Sequence, residues 1–121
     1  MKKRIFDRIA VSTEIPANIL QNGDVYAGKV ANVSNKGIYV EAQKPLPFDS
    51  RFLMIHPFKS RLELIITLKE KDLKVSVKLK RLMQNDDCQG IAVEVINPEI
   101  DYLEFVDSLR TYHEAVHSRS Y

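Results

Sequence analysis

The chain has a single cysteine, Cys88, so no internal disulfide can form, and a reducing, cytoplasmic compartment is the simplest expectation. Cys88 also stands beside Asp86 and Asp87, whose charge raises a thiol pKa rather than activating it. Long apolar runs are missing too: stretches such as Leu64-Ile65-Ile66 fall far short of the roughly 20 residues a membrane span needs. Met1-Lys2-Lys3-Arg4 leads into no apolar stretch, so neither export nor membrane insertion is expected. A Gly-rich phosphate loop, a CxxC pair and a GxSxG nucleophile elbow are all absent, and the chain is not expected to be an enzyme.

What is present fits one compact domain: 121 residues, 45% hydrophobic and 28% charged, enough to bury a real core. The net charge of +2 hides an asymmetry. Residues 1–81 carry 16 basic and 8 acidic side chains, whereas residues 82–121 carry only Arg110 and Arg119 against 8 acids. A basic front suits an anionic ligand, and the plainer alternative is two solvated faces.

The patterning is mostly that of strands. Ile15 to Leu20 and Val25 to Val33 flank Gln21-Asn22-Gly23-Asp24, and Asn-Gly supplies the positive φ angles of a tight hairpin. Lys36-Gly37 turns the chain into Ile38-Tyr39-Val40-Glu41, which Pro45-Leu46-Pro47 closes as a rigid corner. Leu62, Leu64, Ile66 and Leu68 alternate with polar residues, as do Leu73, Val75, Val77 and Leu79. Asn85-Asp86-Asp87 then turns into a strand over residues 90–96, while Arg51 to His56 is compatible with a strand or a buried turn. The tail changes period. Tyr102, Phe105, Val106, Leu109, Tyr112, His113 and Val116 follow a 3.6-residue repeat, with Pro98 and Glu99 placed for a first turn. The expected fold is mainly β, a small antiparallel barrel of six or seven strands over residues 9–97. A basic arm (1–8) precedes it and an amphipathic C-terminal helix (98–117) follows it.

Two short motifs flank the first strands: Arg4-Ile5-Phe6-Asp7-Arg8, and Asn32-Val33-Ser34-Asn35-Lys36-Gly37. Alone, the first is compatible with plain surface charge. The second is compatible with an ordinary turn in which Asn and Ser bond the backbone and Gly takes a positive φ. Together, in this order and spacing, with Ile9-Ala10-Val11 after the second arginine, they resemble the RxxxR and D/N-x-S-x-x-G signatures of the PilZ domain, the bacterial receptor module for cyclic di-GMP. The strand at Gly90 to Ile96 and the helix after it resemble the end of that family's split barrel, so the likeness covers nearly the whole chain. The region from Arg51 to Lys71 is longer than the usual family connection.

The resemblance implies a cyclic di-GMP receptor that uses Arg4, Arg8, Asn32, Ser34 and Gly37, with no further cofactor and no metal. Guanidinium forks suit both the phosphates and the guanine O6/N7 edges of such a ligand, which assigns those contacts to Arg4 and Arg8. Asn32 and Ser34 then offer short polar groups to the ligand's other face, while Gly37 shapes the turn and permits close backbone approach. Lys3 occupies the position that influences whether one nucleotide or a stacked pair binds, and a basic residue there leans toward two. Residues 1–8 hold four basic side chains and one acid, so a loose arm that orders on the ligand is expected, with the signal passed to an effector protein controlling motility, pili or exopolysaccharide. The alternative is a PilZ-like protein-interaction module with weak or no nucleotide binding.

Two further patterns carry less. His113-Glu114-Ala115-Val116-His117 spells the HExxH of zinc proteases, but only Ser118-Arg119-Ser120-Tyr121 follows, leaving no third ligand downstream, and His113 falls on the apolar stripe. The Lys-rich run from Lys69 to Arg81 lacks interleaved aromatics, so a solvated strand face is favoured over a nucleic-acid surface. The amphipathic helix also offers a face on which a second copy could pair.

Overall fold

The computed structural model describes residues 8–11, 13–21, 23–42, 61–84 and 89–118; the side chains of residues 84 and 112–118 lie outside that description. Lys3, Arg4, the Pro45-Leu46-Pro47 corner, Arg51 to His56, the Asn85-Asp86-Asp87 turn and Cys88 fall outside the described residues, as do the side chains of His113 and His117.

Seven strands and one helix follow in order: β1 (Ile9–Ala10), β2 (Pro16–Gln21), β3 (Asp24–Val33), β4 (Gly37–Ala42), β5 (Arg61–Thr67), β6 (Asp72–Gln84), β7 (Gln89–Val95) and α1 (Ile100–Ser118). All pairings are antiparallel, in the order β1-β3-β2-β5-β6-β7-β4, and β4 returns to β3. That last pairing closes β2 to β7 into a six-stranded barrel, with β1 as an extra strand on β3, as the alternating sequence leads one to expect. Closure gives each of those six strands a neighbour on both sides.

The hairpin between β2 and β3 turns at Gly23, whose φ of 87° is costly for any residue with a Cβ. On β5 and β6 the apolar half of the alternation points inward: Leu62, Leu64 and Ile66 are buried, as are Leu73, Val75, Val77 and Leu79. Each such side chain removed from water contributes about 1.5 to 3 kcal/mol. Helix α1 begins at Ile100, two residues later than the Pro98 start expected from the sequence. Pro98 and Glu99 precede it, and the Glu99 carbonyl accepts the first helical bond, from the Leu103 N–H at 3.0 Å. The helix lays Tyr102, Phe105 and Val106 on the barrel, against β1 and β6.

Two strands break the period-2 rule. β3 pairs with β4 through Val30↔Val40 and resumes at Asn32↔Tyr39, leaving Ala31 without a partner on β4. β6 pairs with β7 at Leu79↔Val93 and resumes at Arg81↔Ala92, leaving Lys80 as the extra residue. Each bulge reverses which face later residues take. Beyond Ala31, Val33 turns into the core and Asn32 turns out, although Asn32 shares the parity of buried Gly28 and Val30. Beyond Lys80, Leu82 packs against the core and Arg81 turns out, although Arg81 shares the parity of buried Val77 and Leu79.

Candidate functional site

The bulges assemble a row of residues on the outside of the barrel. Ala10 lies opposite Asn32, Asn32 opposite Tyr39, Tyr39 opposite Ala92, and Ala92 opposite Arg81. With strands roughly 4.8 Å apart, Asn32 and Arg81 stand about 14 Å from each other along the sheet. Ile9 lies opposite Val33, so Arg8, one residue before β1, is brought beside the Ser34 turn. The Val11 N–H donates to the Ala31 carbonyl at 2.9 Å and holds β1 in that register.

Over this row lies a cavity of about 280 Å³, lined by Arg8, Asn32, Ser34, Gly37, Tyr39 and Arg81 with Met83 and Ala92. It brings together four of the residues singled out in the sequence, from motifs more than twenty positions apart. Arg4 and Lys3 are outside the described residues. Arg81, Tyr39 and Met83 line the site without a motif to mark them: Arg81 ends a lysine-rich run, and Tyr39 and Met83 sit beside apolar residues.

Ala92 lines the cavity, and Tyr39, which lines it too, lies over Gly90. Gly90 and Ala92 are neighbours two apart on β7, and a Cβ at Gly90 would stand 2.6 Å from the Tyr39 hydroxyl oxygen and 2.8 Å from its Cζ. Only glycine there lets the Tyr39 ring lie down on the sheet. Tyr39 and the partly exposed Met83 thus give the cavity flat, polarisable apolar walls, of the kind that accept a planar base.

The Ser34–Gly37 turn is fixed by its own hydroxyl. Ser34 Oγ accepts from the Gly37 N–H at 3.1 Å and the Lys36 N–H at 3.3 Å, and the Ser34 N–H donates to the Gly37 carbonyl at 2.8 Å. Gly37 does not have the positive φ that an ordinary turn would ask of it; among the described glycines only Gly23 does. Its role is close approach, since a Cβ at position 37 would lie 3.2 Å from the Val93 carbonyl oxygen of the adjoining strand. From beneath, Tyr102 of α1 donates its hydroxyl to the Ser34 carbonyl at 2.6 Å, with the Gly37 carbonyl at 3.3 Å. Burial pushes the Tyr102 phenol well above its ordinary pKa, so it remains a donor at any physiological pH.

Charge around the site is uneven. Three lysines elsewhere on the barrel stand beside acids, Lys74 with Glu63 and Lys80 with Glu94, each at 3.6 Å, and Lys29 with Glu41 at 4.0 Å, whereas Lys36, Arg61, Lys69 and Lys78 have no such pair among the described residues. Among the described residues neither Arg8 nor Arg81 has such a partner, so the cavity holds two uncompensated guanidinium groups and suits an anion. The described residues contain no cluster of metal-ligating side chains and no helix long and apolar enough to cross a membrane.

Neither a protein-family model nor a curated protein sequence matches the chain. Solved structures do. The inhibitor of motility MotI/DgrA of Bacillus subtilis superposes with a TM-score of 0.65 at 16% identity, over 100% of this chain and 54% of that one. The PilZ domain of YcgR from Escherichia coli, with c-di-GMP, also gives 0.65, at 8% identity over 92% of this chain and 94% of its own. PlzA of Borreliella burgdorferi, in complex with c-di-GMP, gives 0.56 at 10% identity over 100% and 51%. The chain thus spans about half the length of MotI/DgrA and PlzA and nearly all of the YcgR domain. All three are PilZ-domain proteins, and the fold of this chain is that of a PilZ domain.

Proposed function

We propose that the chain is a cyclic di-GMP receptor whose ligand lies in the cavity over Asn32, Tyr39, Ala92 and Arg81. The observation that carries this reading is the convergence, on one cavity, of two guanidinium groups, neither with an acid partner among the described residues, and the polar Ser34–Gly37 turn. Two of the similar structures, those of YcgR and PlzA, are complexes with c-di-GMP, which supports the assignment by analogy of fold.

In this reading Arg8 and Arg81 approach the ligand from opposite ends of the row and pair with phosphate oxygens or guanine O6 and N7. Tyr39 and Met83 supply the surface on which a guanine lies. Asn32 and Ser34 contact the ligand's polar edge, while Gly37 keeps the turn tight against β7. Arg4 joins from the arm, and Lys3 sets whether a second nucleotide stacks on the first. Ordering residues 1–8 over the cavity has an entropic cost, offset by charge-assisted hydrogen bonds of about 1.5 to 3 kcal/mol each. The ordered arm then becomes the surface that a partner protein reads. Motility is the output that the likeness to an inhibitor of motility favours.

Isothermal titration with cyclic di-GMP tests the reading, with GMP as the control ligand. Saturable heat with cyclic di-GMP and none with GMP is the expected result, and the stoichiometry reports on Lys3. No heat and no thermal shift at high ligand would contradict it and leave a PilZ-shaped interaction module.

A further inference from the structure

The Gly37 carbonyl is crowded with donors. It accepts the Ser34 N–H at 2.8 Å and has the Tyr102 hydroxyl at 3.3 Å, and a carbonyl oxygen offers two lone pairs. The Ser34 hydroxyl reaches the same oxygen only at 3.5 Å, the outer limit of a hydrogen bond. Ser34 Oγ meanwhile accepts from two backbone N–H groups, which fixes the oxygen in place at the cavity wall. A hydroxyl whose oxygen is held and whose proton is poorly engaged is set to donate to an incoming acceptor.

We infer that Tyr102 is a positioning residue for the ligand site: by holding the Ser34 carbonyl and sharing the Gly37 carbonyl, it keeps the Ser34 hydroxyl proton available to a ligand oxygen. The inference rests on the nucleotide reading of the cavity for its ligand, but the hold on the turn is independent of any ligand. Tyr102 itself is 2% exposed and 65 residues from Gly37 in sequence, so no ligand touches it and its influence passes through the turn. Helix α1 thereby becomes part of the site's support. Occupancy of the cavity and seating of the helix's first turns favour each other, as reciprocal linkage requires.

The test removes the hydroxyl alone. Tyr102→Phe keeps the ring packed beside Phe105, and Phe105→Leu serves as a control that loosens the helix without touching the turn. In the unliganded protein, amide exchange at Lys36 and Gly37 is expected to quicken about fivefold in Tyr102→Phe, with the β5 and β6 amides unchanged. Unchanged exchange at Lys36 and Gly37 would overturn the inference whether or not any nucleotide binds. Cyclic di-GMP affinity is expected to weaken about fivefold in Tyr102→Phe but not in a Ser34→Ala background, because the effect acts through that hydroxyl. An equal loss in both backgrounds would mean that Tyr102 is only a packing residue. Should Phe at position 102 fail to fold, exchange in the native chain decides: cyclic di-GMP must slow the amides of Leu103 to Phe105, and no slowing on saturation contradicts the proposal. A native chain that binds no cyclic di-GMP refutes the receptor reading instead, and leaves the exchange experiment to judge Tyr102.

Discussion

On the side of the barrel formed by β2, β5 and the first part of β6, strand partners follow one another without interruption from Arg61↔Lys78 to Thr67↔Asp72, and buried and exposed residues alternate throughout. On the other side β3 and the second part of β6 each carry one residue too many, at Ala31 and Lys80. The regular side holds Ile19, Leu64, Ile66 and Val77, all fully buried, and bears no candidate chemistry. The irregular side bears Asn32, Arg81 and the Ser34 turn. Regular alternation is how the chain builds stability, and its interruption is how polar side chains that share the core's parity reach the surface.

The largest expected effect comes from making the irregular side regular. Inserting one alanine between Ala92 and Val93 gives Lys80 a partner and restores strict pairing between β6 and β7, but turns Arg81 inward and Leu82 outward, so a loss of about 3 to 5 kcal/mol or outright failure to fold is expected in urea denaturation. A stable variant with native cyclic di-GMP affinity would show that the bulge does not aim Arg81. On the regular side, Leu64→Ala leaves a cavity at a fully buried position and is expected to lower stability by about 3 kcal/mol. Titration of its folded fraction should return the native dissociation constant, since no site residue moves.

A smaller pair of changes separates neighbours on one strand. Arg81→Ala is expected to weaken cyclic di-GMP tenfold or more, the equivalent of about 1.5 kcal/mol or more, with a melting temperature close to native. Lys80→Ala removes only a half-exposed ion pair with Glu94 at 3.6 Å, and its affinity should stay within about twofold of native. Equal losses from the two would reduce the site to diffuse positive charge. The smallest effect lies at alkaline pH. Burial raises the Tyr102 phenol above its ordinary value of about 10, so the neutral form is favoured when folded. The stability it contributes is full below about pH 10 and declines as pH rises past that value, because only the unfolded phenol then ionises freely. Denaturation profiles of native and Tyr102→Phe protein should converge as the pH climbs above 10, and parallel profiles would contradict the assignment.

The regular side was legible in the residues. Leu62 to Leu68 and Leu73 to Leu79 alternate strictly, Asn22-Gly23 announces a hairpin, and Tyr102, Phe105 and Val106 fall on one helical face. The irregular side was legible only through the motif, which named Arg8, Asn32, Ser34 and Gly37 without saying why they meet. A bulge is a register fact between two strands, and single-strand periodicity carries no trace of it. Alternation alone sends Asn32 inward with Val30, and Arg81 inward with Leu79. Arg81 also ends a run of lysines, so its sequence context matched a solvated face. The Tyr102 hydroxyl was equally hidden, since a tyrosine on an apolar stripe reads as core until the carbonyls above it are placed. Gly37 was identified by the motif, but its reason differs from a turn's ordinary need, being the nearness of the Val93 carbonyl.

The most direct measurement is isothermal titration of native, Arg8→Ala and Arg81→Ala protein with cyclic di-GMP at one fixed ionic strength. If the two bulge-flanked ends of the row grip one ligand, the native chain gives a saturable isotherm and each variant weakens it at least tenfold while melting near the native temperature. A native isotherm that survives in both variants would place the ligand elsewhere on the molecule and contradict the site proposed for it.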